Sequence, residues 1–151
     1  MALARGTPLP DLSPATHWFG QPPTRDALIG KPLLIHIWSV SCHTCHEIMP
    51  ETLKLRDELL AKGWNVIGLH IPRQESDLEL PAIEADIREY ALTHAQAVDN
   101  DQVLTEALQN EFVPAFYAFG PELTLEAVRA GANGPAMIRT AIARMESAAS
   151  A

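Results

Sequence analysis

The chain has two cysteines, placed close together as Ser41-Cys42-His43-Thr44-Cys45, directly after the apolar run Leu33-Leu34-Ile35-His36-Ile37-Trp38. A strand feeding a helix that opens with C-x-x-C sets the first sulfur at the helix N-terminus, where unpaired N–H groups and the macrodipole favour a thiolate. The thiolate is the nucleophile and the metal ligand. One sulfur of such a pair attacks an external disulfide, and the second, one turn along, resolves the mixed disulfide. On that chemistry Cys42 is the nucleophile and Cys45 the resolving thiol.

The neighbouring residues set how such a pair behaves. His43 and Thr44 stand between the cysteines, and whatever stabilises the thiolate makes the disulfide more oxidising. A protonated His43 beside Cys42 raises the potential; a solvent-exposed, uncoupled His43 leaves it alone, and both readings stand. His36 interrupts an otherwise apolar strand two positions before Trp38. A lone His in an apolar strand reads as a core residue held by hydrogen bonds. His46 reads as surface, and His70, at the end of another strand, as structural. A metal-handling alternative has Cys42 and Cys45 holding Cu(I) or Zn(II) with His43 or His46, although no further Cys or His cluster stands out to complete a tetrahedral site.

Composition bounds the rest. At 151 residues and 47% hydrophobic content, the chain (1–151) is expected to form a single domain with one sizeable core. Nineteen acidic against eleven basic residues give a net charge of −8, with no Lys or Arg cluster, which disfavours nucleic acid and anionic membrane as partners. No segment reaches the apolar length of a membrane span. The expectation is a soluble, cytoplasmic protein, exported or membrane-associated if a signal or anchor lies outside this chain. Two cysteines do not make a disulfide scaffold; in a reducing compartment they serve catalysis, sensing or metal binding.

The elements that must position these residues follow from periodicity. Residues 1–32, rich in Pro and Gly, read as an N-terminal arm or hairpin. Leu33 to Ser39 reads as a central strand covered on both faces. From Cys42 to Lys62 a single helix is expected, with Ile48, Met49, Leu53, Leu59 and Leu60 as its buried stripe, Pro50 kinking it and Gly63 ending it. Trp64 to Ile71 is the next strand, followed by a helix opening at Pro81 with Ile83, Ile87, Tyr90 and Ala91 on one face. After a short strand at 95–98, Asp99-Asn100-Asp101 caps a helix carrying Val103, Leu104, Ala107 and Leu108. Ala115 to Phe119 and Leu125 to Arg129 form a hairpin around Gly120-Pro121, and Pro135 starts a last helix that ends in a fraying tail. Strands alternating with helices, then a hairpin and a helix, give an α/β architecture with a mixed sheet.

Trp38, Cys42, Cys45, Pro50 and Val113-Pro114 together resemble the thioredoxin superfamily: strand, Trp, C-x-x-C, a Pro five residues after the second Cys, and a late cis-proline. Trp38 through Cys45, followed by Val66-Ile67-Gly68-Leu69-His70 and Val98-Asp99-Asn100-Asp101, is similar to the TlpA/ResA branch, near the thioredoxin-like domains of DipZ-type transporters and NHL-repeat proteins. The resemblance spans about residues 6–145. It implies a thioredoxin-like α/β fold, a mixed central β-sheet flanked by helices, with an N-terminal extension and an inserted helix at 76–93. It further implies a thiol–disulfide oxidoreductase that needs no cofactor, acting as a monomer or weak associate on protein thiols and disulfides and on a thiol–disulfide electron donor or acceptor. In that family the bond before the late proline is cis and the preceding backbone pairs with an extended substrate segment, so Trp38, Val113 and Pro114 become the expected substrate-binding residues. Where His36 stands, ordinary thioredoxins place a buried acid that exchanges a proton with the resolving cysteine, so the resemblance offers His36 as a proton relay near neutral pH, beside its reading as a hydrogen-bonded core residue. Ser39-Val40-Ser41-Cys42 also has the S-x-x-C form of peroxidatic cysteines, leaving thiol peroxidase as a further alternative.

Overall fold

In chain order the computed structural model, which describes residues 3–150, contains β1 (His17–Phe19), α1 (Arg25–Leu28), β2 (Leu33–Trp38), α2 (His43–Glu47), α3 (Met49–Ala61) and β3 (Asn65–His70). A 3-10 turn (Glu75–Leu78) then leads to α4 (Leu80–Glu89), β4 (Gln96–Val98), α5 (Val103–Ala107), β5 (Ala115–Phe119), β6 (Leu125–Ala130) and α6 (Gly134–Ser150). The six strands form one sheet in the order β1-β4-β3-β2-β5-β6. Strands β2, β3 and β4 run parallel, while β1, β5 and β6 join antiparallel.

All six residues of β2 are buried, as a strand flanked by β3 and β5 and covered on both faces requires. Alternation along β2 divides the core. Leu33, Ile35 and Ile37 face Leu28, Leu104 and Leu108, whereas Leu34 faces Leu55 and Leu59 of α3 and Ile138 and Ile142 of α6. Farther along that second face, Trp38 packs with Cys42, Cys45, Met49, Ile83, Leu92 and Val98. No helix of the described residues is long and apolar enough to cross a membrane.

Three expectations need correction. The expected helix over Cys42–Lys62 is two helices meeting at Ile48, whose φ of −94° and ψ of 5° end α2. Pro50 has no N–H to give the preceding turn, so it occupies the first turn of a new helix instead of kinking an old one. Leu60, placed in the buried stripe by its spacing, is 46% exposed, and Thr52, Leu55 and Arg56 are buried in its stead. The N-terminal arm forms no hairpin: His17, Trp18 and Phe19 pair antiparallel with Val98, Ala97 and Gln96, covering an edge that β4 would otherwise present to solvent.

Smaller differences concern helix ends. The inserted segment is a 3-10 turn followed by ten residues of α4, and Ala91 lies past its end with a positive φ of 53°. Asp99 does cap α5, its carboxylate accepting the backbone N–H groups of Leu104 (3.0 Å) and Thr105 (2.7 Å), although Val103 faces outward. The tail expected to fray continues as α6 to Ser150. Gly63, with φ of +89°, ends the helical segment as its position suggested.

Candidate active site

The strand-to-helix turn after β2 brings Cys42 to the N-cap of α2, and a disulfide joins it to Cys45. The Cys45 N–H points at the Cys42 sulfur from 3.0 Å, so one orphan donor of the first turn meets the sulfur directly. Because α2 has only five residues, this N–H and not a long axial dipole is the local source of positive potential. Cys42 retains 2% of its surface and Cys45 none, so an incoming sulfur has its access at Cys42.

Residues 39–41, which carry the chain into Cys42, are tied down by the segment after β3. His70 accepts the Val40 backbone N–H on Nε2 at 3.0 Å, the Ser41 hydroxyl donates to Asp77 Oδ2 at 2.7 Å, and the Ser39 hydroxyl donates to the Ile71 carbonyl. The same Asp77 oxygen accepts the Arg73 N–H at 2.9 Å. Burial depresses the His70 pKa to about 4, against the pull of Asp77, which keeps the imidazole neutral and its Nε2 lone pair available. Its place at the end of a strand already allows His70 to approach the site, although a structural part is the favoured expectation from sequence; the register of β3 with β2 sets it opposite Trp38.

Trp38, wholly buried, stands beside the disulfide, edge-on to His70 with ring centroids 4.8 Å apart, and its indole N–H donates to Gln96 Oε1 at 2.9 Å. Val113–Pro114 is cis, and the half-buried Val113 packs on the same cluster as the two cysteines. Thus the structure brings Trp38, Cys42, Cys45 and Val113-Pro114 to one place. Phe112, just before them, is 66% exposed.

The histidines separate into different environments. His43 is exposed, with Nε2 3.3 Å from the Glu47 carboxylate, and Thr44 is half-buried inside α2. His46, expected to be surface decoration, is partly buried: its Nε2 lies 2.7 Å from Asp86 Oδ2 and its ring stacks on Tyr90, 5.1 Å between centroids. Burial pushes the His36 pKa down to about 3, with the neighbouring His94 adding to the effect. The His36 ring stacks on Phe116 at 5.2 Å, and neither ring nitrogen has a hydrogen-bond partner among the described residues. The hydrogen-bonded core expected as one reading of His36 is therefore not formed. His43 and His46, the ligands that the metal-handling alternative requires, are engaged with Glu47 and Asp86. No group of three His, Cys, Asp or Glu among the described residues is arranged to hold a metal ion.

Known proteins share both the fold and the sequence. The thiol-disulfide oxidoreductase YkuV of Bacillus subtilis (strain 168) is 40% identical over 139 residues, covering 91% of this chain and 93% of that protein. A solved thioredoxin-like protein in its oxidised form is likewise 40% identical, with a TM-score of 0.81 over 93% of this chain and 94% of the other. At 21% identity, the thioredoxin-like superfamily protein SPOA0173 shares the fold, with a TM-score of 0.77 over 93% of this chain and 94% of its own. No protein-family model matches the chain. Similarity at this level across nearly the whole of both chains, with Cys42 and Cys45 joined at the head of a helix beside a cis-proline, shows that the chain belongs to the thioredoxin-like thiol–disulfide oxidoreductases.

Proposed function

We propose that the protein exchanges disulfides with other proteins through Cys42 and Cys45, with Cys42 as the attacking and Cys45 as the resolving sulfur. The carrying observation is the Cys42–Cys45 disulfide, in which only Cys42 has exposed surface. In the reducing direction the Cys42 thiolate attacks a partner disulfide, forming a mixed disulfide and releasing one partner thiolate. Cys45, as thiolate, then attacks the Cys42 sulfur, releasing the second partner thiolate and closing the internal disulfide. Two electrons pass to the partner. The oxidising direction is the reverse, and the potential of the couple against its compartment selects between them.

The substrate-binding reading assigns the backbone of Val113, beside the sulfurs and before Pro114, to an extended partner segment. Exposed Phe112 and a groove of about 270 Å³ lined in part by Ile71, Pro72 and Arg73 continue that surface. His36 is proposed as a proton relay for Cys45 and not as a resting base, since burial holds its pKa near 3: a neutral ring with one lone pair and one N–H, on the strand face that carries Trp38, can pass a proton without keeping it. A monomer working in the cytoplasm, or exported or membrane-associated if a signal or anchor lies outside this chain, completes the reading.

Trapping tests the assignment. Cys45→Ser should accumulate mixed disulfides through Cys42, and Cys42→Ser should not; equal trapping by both variants reverses or removes the roles. Peroxide consumption by Cys45→Ser at the rate of disulfide reduction would replace this function with a thiol peroxidase.

A further inference from the structure

Gln96 is the residue on which the redox centre and the buried histidines meet. His36, Gly68 and Gln96 are neighbours in register across β2, β3 and β4, and the Gln96 side chain lies over Gly68. A Cβ at residue 68 would collide with the Gln96 amide, so the glycine is what admits this side chain to the Trp38 face of the sheet. The amide is fully buried and bonded at both ends. Its Oε1 accepts the Trp38 indole N–H at 2.9 Å, and its Nε2 lies 2.9 Å from His94 Nε2.

The chemistry of the donors fixes the direction of this chain. An indole N–H only donates, so the amide oxygen must face Trp38 and the NH2 must face His94, whose Nε2 must then accept. His94 therefore carries its proton on Nδ1 and no charge. A neutral imidazole has one acceptor nitrogen, and the 2.9 Å contact with Gln96 takes it, so Arg56, with Nη1 3.5 Å from the Nδ1 side, makes a charge contact there and no hydrogen bond. Burial lowers the His94 pKa to about 4, and Arg56 pushes the same way while Asp57 opposes. Turning the amide over brings two donors together at Trp38. The arrangement thus has one satisfied orientation, and Trp38 sits against Cys42 and Cys45 at its far end.

We propose that Gln96 and His94 form a positioning chain for disulfide exchange, in which the Gln96 amide fixes the Trp38 indole against the Cys42–Cys45 pair and His94 fixes the amide. The inference rests on the reading of Trp38 as part of the exchange site. Protonation of His94 on Nε2 removes the acceptor and releases the amide. The groups facing His94 are Arg56 and Asp57 of α3, His36 of β2 and Gln96 of β4. His94 is accordingly the end of the chain at which a proton acts on the redox centre.

The test uses the full chain, with solvent exchange of the Trp38 indole N–H followed by NMR and the rate of the reduced protein with glutathione disulfide. Gln96→Leu removes both bonds while keeping an apolar fill, and should cost about tenfold in indole protection and about fivefold in exchange rate. Gln96→Glu keeps an acceptor for Trp38 and offers a second to protonated His94. It should retain indole protection while giving the exchange rate a new pH dependence that follows the His94 ring resonance. A folded Gln96→Leu protein with wild-type protection and rate overturns the proposal. Should that variant fail to fold, His94→Leu carries the same test, and undiminished indole protection in it overturns the chain. An unchanged rate in Trp38→Phe would instead remove the underlying reading of Trp38, which separates the two failures.

Discussion

His70 accepts the backbone N–H of Val40 at 3.0 Å, so the last residue of β3 holds the loop that delivers Cys42. His70→Phe keeps ring bulk edge-on to Trp38 but leaves that N–H without its acceptor. A buried orphan donor costs about 1–3 kcal/mol. The variant should lose about that much unfolding free energy in a urea titration, and the Val40 amide should exchange faster with solvent. Unchanged protection of Val40 would show that the loop is held by Ser39 and Ser41 alone.

Three histidines make the fold sensitive to acid. His36, His70 and His94 have pKa values lowered to about 3, 4 and 4 by burial, while in the unfolded chain a histidine titrates near 6.5. Between those values the unfolded state binds more protons than the native state, so stability is full above about pH 6.5 and falls as pH drops toward 4. For His70 alone the shift amounts to about 3 kcal/mol by pH 4. His36→Leu should therefore reduce the pH dependence of stability between pH 4 and 6 by close to one proton. A slope equal to wild type would mean that His36 is not buried neutral. The same variant tests the relay, since loss of a proton relay for Cys45 should also alter the pH profile of exchange.

Chemistry close in sequence was legible, and chemistry assembled from afar was not. Cys42 and Cys45 lie three residues apart after one strand, so their spacing and position placed them at a helix start, whereas the parts given to Trp38 and Pro50 came from resemblance. The cis bond before Pro114 came from resemblance, because a proline that merely starts a strand reads the same in sequence. His46 was misjudged since its partner Asp86 is 40 residues away, and Gln96 was passed over since nothing local shows that Gly68 opens a place for its side chain. The pairing of β1 with β4 joins segments about 80 residues apart, whereas turn composition argues only for neighbours. The break at Ile48 depends on whether Pro50 sits within a helix or in the first turn of one, which periodicity cannot distinguish.

His43 is expected to tune the couple less than its place between the cysteines suggests. Its ring is 87% exposed and faces Glu47, so solvent and a carboxylate both screen any charge it offers Cys42. Glu47→Gln removes that compensation and should raise the reduction potential by about 10–20 mV. Replacing His43-Thr44 with Gly-Pro should lower the potential. Equilibration with glutathione buffers measures both, and a Glu47→Gln potential equal to wild type would show that the His43 and Glu47 pair does not reach Cys42.

The inserted segment braces the active-site helix through His46 and Asp86. Their 2.7 Å contact joins α2, one residue past Cys45, to α4, and Tyr90 closes over the imidazole face. Side-chain exposures of 26% and 13% place the pair out of full solvent, where a charge-assisted bond exceeds the usual surface ion pair. A double-mutant cycle over His46→Ala and Asp86→Ala should give a coupling energy of about 1–2 kcal/mol in urea unfolding. Each single variant should also make α4 easier to cleave by limited proteolysis, because Ile83 is the one fully buried residue of that helix and the contact of Asp86 with His46 is its polar tie to α2. Zero coupling, or α4 protected as in wild type, would leave the insertion held by the apolar packing of Leu80, Ile83 and Ile87 and by Asp77 at Ser41, with no part for His46.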